Sequence, residues 1–419
     1  MRVNTSWAFV GNAIYAACQW AVLVLLVKAL PAADVGQFAY GLAITGPIFV
    51  FANVRLRDVL ATGVHSPGDF CDYLTARLLT TATAIAVSIA AGALVAPGGA
   101  APIVALVACA KGCDALSEIS HGLFQRELDM RTAAIGLILN GGVSVLLVAL
   151  VLFVGQPLPV AAAAYAAGSL FALAAWDLPQ AAARLKRTGI IARPRFAAAR
   201  ALIARALPLG MSSAVGSVQS NLPRYVVAAT LGPGALAVFA ALSYIPLVGH
   251  TAVNAAVQSA LPLLARDAQG LPASYRRRLV GLAAASAGVG TLGLLAMALF
   301  GRRLLNIMYG AEYAAHVGVL LWLMVATVVT FTSVFFGAGI TARGRFKTQL
   351  AITTTSLAVV AALIWPLVRL YGLSGAAVSL LAAAIVELTA YATLTVRDFR
   401  IAEKVPALVT EALAGSVGR

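Results

Sequence analysis

Charged residues are scarce in this sequence. Of its 419 residues only 11% are Asp, Glu, Lys or Arg, less than half the quarter typical of soluble domains. That leaves too little polar surface to cover a water-soluble globule of this length. Cysteine numbers only four. Cys18, Cys109 and Cys113 fall inside apolar runs and Cys71 in a connecting segment, so no disulfide framework and no metal-ligand spacing is formed. No GxxxxGK[ST] phosphate loop is present, so nothing points to a nucleotide as energy source. No cofactor is implied.

Apolar residues fill the space that charge leaves. They make up 61% of the chain, with a mean hydropathy of +0.92. A bilayer core about 30 Å thick needs roughly 20 apolar helical residues. Runs of that length lie near 8–30, 37–60, 74–96, 101–123, 133–154, 159–179, 206–230, 236–262, 279–300, 315–341, 349–368 and 372–396. They are continuous, whereas strands of a membrane barrel alternate over about 10 residues. The expectation is an all-α integral membrane protein of about twelve transmembrane helices. The first run is too long for a signal-peptide core and is expected to be retained.

The few cations are placed unevenly. Arg126 and Arg131, the run from Arg184 to Arg205, Arg266 with Arg276–Arg278, Arg343–Lys347, and Arg397–Lys404 occupy alternate connections. Pro97–Pro102, Gly155–Pro159 and Leu231–Ala235 carry no Lys or Arg. The positive-inside rule puts both termini in the cytoplasm, which an even number of spans requires. This topology, with contact to anionic membrane lipids, also accounts for the net charge of +15. Nucleic acid is not an expected partner, because the basic loops lack interleaved aromatics.

The basic stretch Ala181–Arg205 divides the chain near its middle, with six runs on either side. The expected organisation is an N-terminal lobe over 1–180, a linker over 181–205, a C-terminal lobe over 206–396 and a tail over 397–419. Leu30-Pro31-Ala32-Ala33-Asp34-Val35-Gly36-Gln37-Phe38-Ala39 matches Leu231-Gly232-Pro233-Gly234-Ala235-Leu236-Ala237-Val238-Phe239-Ala240. Each follows the first span of its half. Pro47 and Pro246 fall at comparable depth in the helix that comes next. The match indicates a parallel repeat, whose two lobes would flank a substrate site. Prolines inside spans free carbonyls and allow kinks; ordinary helix shaping and a shared hinge are both compatible with them.

Several segments together resemble one family. Asn221-Leu222-Pro223-Arg224-Tyr225-Val226-Val227, then Leu231-Gly232-Pro233 and Phe239-Ala240, are similar to a pattern in bacterial oligosaccharide flippases. Gly11-Asn12, Gly36-Gln37-Phe38, Ala52-Asn53-Val54-Arg55-Leu56-Arg57 and Met308-Tyr309-Gly310-Ala311-Glu312-Tyr313-Ala314 resemble the same proteins, over essentially the whole chain. These are the Wzx-like members of the multidrug/oligosaccharidyl-lipid/polysaccharide (MOP) exporter superfamily. The resemblance implies a V-shaped pair of six-helix lobes around a cavity in a bacterial inner membrane. It implies transfer of polyprenyl-diphosphate-linked oligosaccharide to the outer leaflet for lipopolysaccharide, capsule or exopolysaccharide, alongside a polymerase and glycosyltransferases. The Ala-rich composition departs from the family pattern and leaves the glycan open.

Ionisable side chains inside spans are costly and mark functional sites. Arg224 stands in the seventh run with no acidic residue in that run, so it either faces water or substrate or snorkels outward. His250 in the eighth run offers a switchable donor or a packed neutral one. Lys111, Asp114, Glu118 and His121 share one helical face through their spacing of three and four. They form either a cavity lining with a proton-exchanging carboxylate, or a Lys111–Asp114 pair with the other two near the interface. Arg55, Arg57 and Asp58 end the second run and either receive the diphosphate or anchor the helix. Arg224, His250, Arg55, Arg57 and Lys111 are the substrate-binding candidates. Asp58, Asp114, Glu118 and Glu387 are candidates for proton or ion coupling. Asn12, Gln19, Gln219, Ser220 and Asn221 either meet sugar hydroxyls or join helices. A drug/cation antiporter of the same superfamily and a membrane-embedded glycan enzyme are the competing readings. Short outer loops without a nucleophile triad weigh against the enzyme.

Overall fold

A computed structural model describes residues 2–57, 60, 70–95, 99–187, 195–270 and 272–417, with side chains for most of them. Asp58 lies outside the described residues. The helices are α1 (Arg2–Ala29), α2 (Ala32–Asn53), α3 (Phe70–Val95), α4 (Ala101–Arg126), α5 (Met130–Phe153) and α6 (Leu158–Ala172). A π turn, Leu173–Asp177, carries α6 into α7 (Leu178–Arg187). Then follow α8 (Phe196–Gly270), α9 (Pro272–Tyr309), α10 (Ala311–Ala314), α11 (Val317–Ala342), α12 (Phe346–Tyr371) and α13 (Leu373–Val417). No strand occurs among the described residues.

Ten of the described stretches are long and apolar enough to cross a bilayer. Two more crossings follow from α4 and α8. α4 has 26 residues but carries Lys111, Asp114 and Glu118 within its apolar length. α8 has 75 residues, about 110 Å if straight, far more than one bilayer. It turns at Gly232, whose φ of 84° and ψ of 177° are non-helical. The expected all-α bundle of about twelve spans is therefore present, six before residues 188–194 and six after.

The helices are apolar outside and small or polar inside, as lipid requires. On α5, Leu146, Leu150 and Phe153 are exposed, Phe153 by 90%. The opposite face buries Gly136, Asn140, Gly141 and Ser144. Lipid tails are as apolar as leucine, so small residues that let backbones approach supply the packing.

The chain forms two compact packing units: Met1–Tyr244 with Leu305–Tyr313, and Ile245–Leu304 with Ala314–Arg419. In the first, ion pairs hold the end of α7 and the residue before α8. Arg184 pairs with Glu127 at 2.8 Å and with Asp129, and its guanidinium stacks on Phe124 at 4.3 Å. Arg195 pairs with the buried Asp72 of α3. In the second unit a core of Val253, Leu264, Tyr275, Leu279, Phe331 and Phe335 lies beside the Arg278–Asp267 pair at 2.8 Å.

The two matching decapeptides meet inside the first unit. A Cβ at Gly36 would lie 1.8 Å from the Pro233 carbonyl oxygen, so α2 and the turn of α8 touch backbone to backbone. Gly36→Ala should therefore destabilise the protein by about 3 kcal/mol through overpacking. Gly234→Ala, whose Cβ would be 4.0 Å from Ala32, should change it by less than about 0.5 kcal/mol. Thermal unfolding in detergent micelles checks this; equal melting of both variants would contradict the close contact.

Candidate functional site

α4 supplies one wall of a cavity of about 370 Å³ in the first unit. Its helical spacing aligns Lys111, Asp114, Glu118 and His121, and all four line that cavity. Tyr15 of α1, Phe49 and Asn53 of α2, Arg57, and Asn140 of α5 complete its polar and aromatic lining. Thus four of the expected site residues, Arg57, Lys111, Asp114 and Glu118, come together in one place.

Asp114 is the most heavily bonded of them. Lys111 Nζ lies 3.1 Å from its Oδ2, which also accepts from the Tyr15 hydroxyl at 3.1 Å. Asn140 Nδ2 donates to Oδ1 at 2.8 Å, and Ser169 Oγ donates in turn to Asn140 Oδ1 at 3.3 Å. Three helices besides α4 thereby hold one carboxylate. Glu118 is held more loosely. Its Oε2 lies 3.5 Å from Arg77 Nη2, with 33% of the Glu118 side chain exposed and none of Arg77. Arg77 also donates to Asn53 Oδ1. His121 meets Asp177 of the π turn at 3.0 Å. That pair is pressed under Gly136, where a Cβ would come within 2.3 Å of Asp177 Oδ1.

The floor of the cavity depends on a strained turn. α2 ends at Asn53, and Val54 and Arg55 follow at φ of 38° and 53°. Left-handed backbone costs a non-glycine residue about 1–2 kcal/mol. Val54 is anchored by burial, 2% exposed, among Leu56, Leu60, Phe70 and Tyr73. The turn lets residues on both sides of it, Asn53 and Arg57, line the same space. Arg55 is exposed and does not line it.

Arg224 sits one helix away, half-buried. Its Nη1 donates to Asn221 Oδ1 at 3.0 Å, and among the described residues no carboxylate pairs with it. Asn221 in turn lies 3.6 Å from where a Cβ on cavity-lining Gly46 would be. The adjacent Tyr225 has a separate task. Pro47 has no N–H, so the carbonyl four residues earlier loses its helical donor. That carbonyl, Ala43 O, accepts from the Tyr225 hydroxyl. His250 belongs to the second unit, edge-on to Phe331 with ring centroids 4.9 Å apart. Glu387 is also in the second unit. Gln19 accepts from Tyr165 at 3.0 Å, and Asn221 donates back to Ser217.

Tyr15, Arg77, Asn140 and Asp177 were not among the sequence candidates. Asn140 and Arg77 had a readable signal, as polar groups within or at the start of apolar runs. Asp177, an acid inside the run 159–179, carried the same signal; Tyr15 had none, since its partner is set by how neighbouring helices are rotated.

Comparison with known proteins comes to the same architecture. No protein-family model matches the chain. A capsular polysaccharide biosynthesis protein, CapF of Staphylococcus aureus, is 23% identical over 399 residues, 93% of this chain and 98% of that protein. An inward-facing multidrug resistance MATE family transporter of the MOP superfamily superposes with TM-score 0.77 at 14% identity, covering 95% of this chain and 99% of its own. The lipid II flippase MurJ in its inward closed conformation gives 0.74 at 11% identity, covering 93% and 88%. The fold is that of MOP-superfamily transporters and flippases, and the protein is a multi-pass membrane protein.

Two outcomes test this geometry. Asp114→Ala should cost about 3 kcal/mol by stranding Lys111, and adding Lys111→Met should recover most of it. Tyr225→Phe should cost about 1–2 kcal/mol by leaving Ala43 O unbonded. In a Pro47→Ala background that cost should fall near zero, because residue 47 then supplies the missing N–H. Double-mutant cycles on detergent melting curves read both; additive effects in either pair would refute the contact concerned.

Proposed function

We propose that this chain is a flippase that carries polyprenyl-diphosphate-linked oligosaccharide from the cytoplasmic to the outer leaflet for cell-surface polysaccharide synthesis. The observation that carries the reading is a cavity within a membrane bundle that offers Arg57 and Lys111 beside amide and phenol groups. A diphosphate leaving water needs cations and donors to replace its hydration. Sugar hydroxyls need partners such as Asn53, Asn140 and Tyr15. The likeness to a capsular polysaccharide biosynthesis protein and to a lipid II flippase supports this substrate class.

The polyprenyl tail would stay in lipid while the head group occupies the cavity. The two lobes would expose it alternately, driven by an ion or proton gradient. Both termini would lie in the cytoplasm of a bacterial plasma membrane, with glycosyltransferases and a polymerase acting before and after transfer. Arg224, His250, Arg55 and Glu387 remain candidates for head-group contact or coupling.

The MATE likeness gives the antiporter reading its one support. A cation antiporter needs a carboxylate free to take its cargo. Here Asp114 is already met by Lys111, Tyr15 and Asn140, and Glu118 by Arg77. Those neutralised carboxylates favour an anionic head group instead.

Vesicles loaded with a fluorescent lipid-linked oligosaccharide test the assignment. Arg57→Ala, Lys111→Gln and Arg224→Ala should each slow outward transfer at least about tenfold, a loss of about 1.4 kcal/mol. Export of a cationic dye should be absent throughout. Dye export without glycan transfer would select the antiporter.

A further inference from the structure

One helix of this chain is divided between the two packing units. α9 runs unbroken from Pro272 to Tyr309. Its residues up to Leu304 pack in the second unit, while Leu305–Tyr313 pack in the first. The crossing segment is deeply seated: Leu305 is fully buried, and Tyr309 and Tyr313 are 5% and 3% exposed. Gly310 ends the helix at a φ of 100°, its N–H shared between Leu305 O at 3.1 Å and Asn306 O at 3.0 Å. That stop makes Tyr309 the last residue of α9. Its hydroxyl accepts from Trp20 Nε1 of α1 at 2.5 Å and donates to Ala241 O of α8 at 3.4 Å. The Tyr313 ring lies 5.5 Å from the Tyr309 ring. Trp20 stands nine residues before the end of α1, and Ala241 nine residues past Gly232, each about 13 Å of helix from a turn. Met308–Ala314 is also one of the flippase-like segments, and none of it lines the cavity.

We infer that the end of α9 is a latch, engaged here through the Trp20–Tyr309 bond and released whenever the second unit moves. A helix carries displacement along its length unless a proline, a glycine–serine pair or a bulge lets it bend. α9 has no proline beyond its first residue and no positive-φ residue. Residues 305–309 therefore follow 272–304 rather than staying with α1, and the bond to Trp20 parts. α8 crosses between the same units at Tyr244–Ile245, but Pro246 stands beside that crossing. Pro246 frees the carbonyl of Leu242 and lets the helix flex there, so α8 keeps its hold on the first unit where α9 lets go. The contact suits repeated release. One indole–phenol hydrogen bond holds it, and both groups bond water when parted. Lipid tails are as apolar as leucine, so drawing Leu305 away from its neighbours inside a membrane costs little. With the termini in the cytoplasm, as proposed above, the latch lies on the outer side. It serves any cargo and does not depend on the glycan assignment.

A distance between two points of the first unit reads the latch. Gln156, in the turn after α5, and Ala311 are both exposed and both belong to that unit. Spin labels go at these two positions in the full-length protein in nanodiscs, with its four cysteines replaced by alanine. Double electron–electron resonance should then show two separations. Tyr309→Phe and Trp20→Phe should each raise the longer separation relative to the shorter about fivefold, as loss of one hydrogen bond allows. Pro246→Ala should lower the longer one severalfold by stiffening α8. Labels on Gln156 and on Leu94, an exposed residue of α3 in the same unit, should keep one separation in every variant, which shows that the fold is intact. A single Gln156–Ala311 separation in the unaltered protein and in both latch variants would make the segment a permanent anchor and overturn the inference. So would two separations in a ratio that neither Tyr309→Phe nor Trp20→Phe changes, since the bond would then hold nothing. Failure of glycan transfer in vesicles leaves these distances untouched and bears only on the flippase reading.

Discussion

A carboxylate cannot sit alone in hydrocarbon, and α4 carries two of them through the membrane. Much of the first unit is arranged around that constraint. α1 brings Tyr15 and α5 brings Asn140 to Asp114, and Lys111 meets it from α4 itself. α3 brings Arg77 to Glu118. The π turn after α6 brings Asp177 to His121, and π turns often occur where a helix must re-aim one side chain. Each partner requires its helix to lie close to α4. The small residues along α5 make that approach possible: a Cβ at Gly141 would already lie 2.7 Å from Cys18 Cβ of α1. Lipid-facing leucines and buried glycines are two sides of the same requirement.

The sequence carries much of this in its periodicity. Apolar length gives the crossings, and the spacing of Lys111, Asp114, Glu118 and His121 puts them on one face, because both are properties of a single helix. The same spacing leaves two readings of that face open. Lys111 does neutralise Asp114, and the four residues do line a cavity. What periodicity lacks is the rotation of one helix against the next. Tyr15 reads as an ordinary aromatic, and Asp177 as a residue near a span's end. Arg224 read as the hardest charge to explain because its own run has no acid. Its partner is an amide three residues back, Asn221, which a count of acids passes over.

The proline in α2 shows how a local rule becomes a tertiary contact. Pro47 removes one donor, and its consequence is fixed at residue 43 by covalent geometry alone. Which group repairs the loss is not local. Tyr225 does so, and it belongs to the Pro-Arg-Tyr segment that most specifically resembles the flippases. The segment's tyrosine therefore has a structural duty beside the cavity, separate from any duty of its arginine. Close contact of Gly36 with Pro233 joins the same two helices at another level. Of the matched decapeptides, one packs directly on the other.

Fixed and movable groups divide cleanly within the cavity. Asp114, with three donors, and His121, buried against Asp177, have no slack. Arg57, unpaired among the described residues, and Glu118, held by one contact at 3.5 Å, have it. The proposed binding and release of a charged head group would need both kinds. Rigid groups keep the membrane-buried charges satisfied while the cavity is empty. The strained turn at Val54 and Arg55 serves the second kind. Val54's burial holds it in place, and it sets Arg57 beyond the end of α2, in helical backbone that follows the turn, where the side chain reaches the cavity.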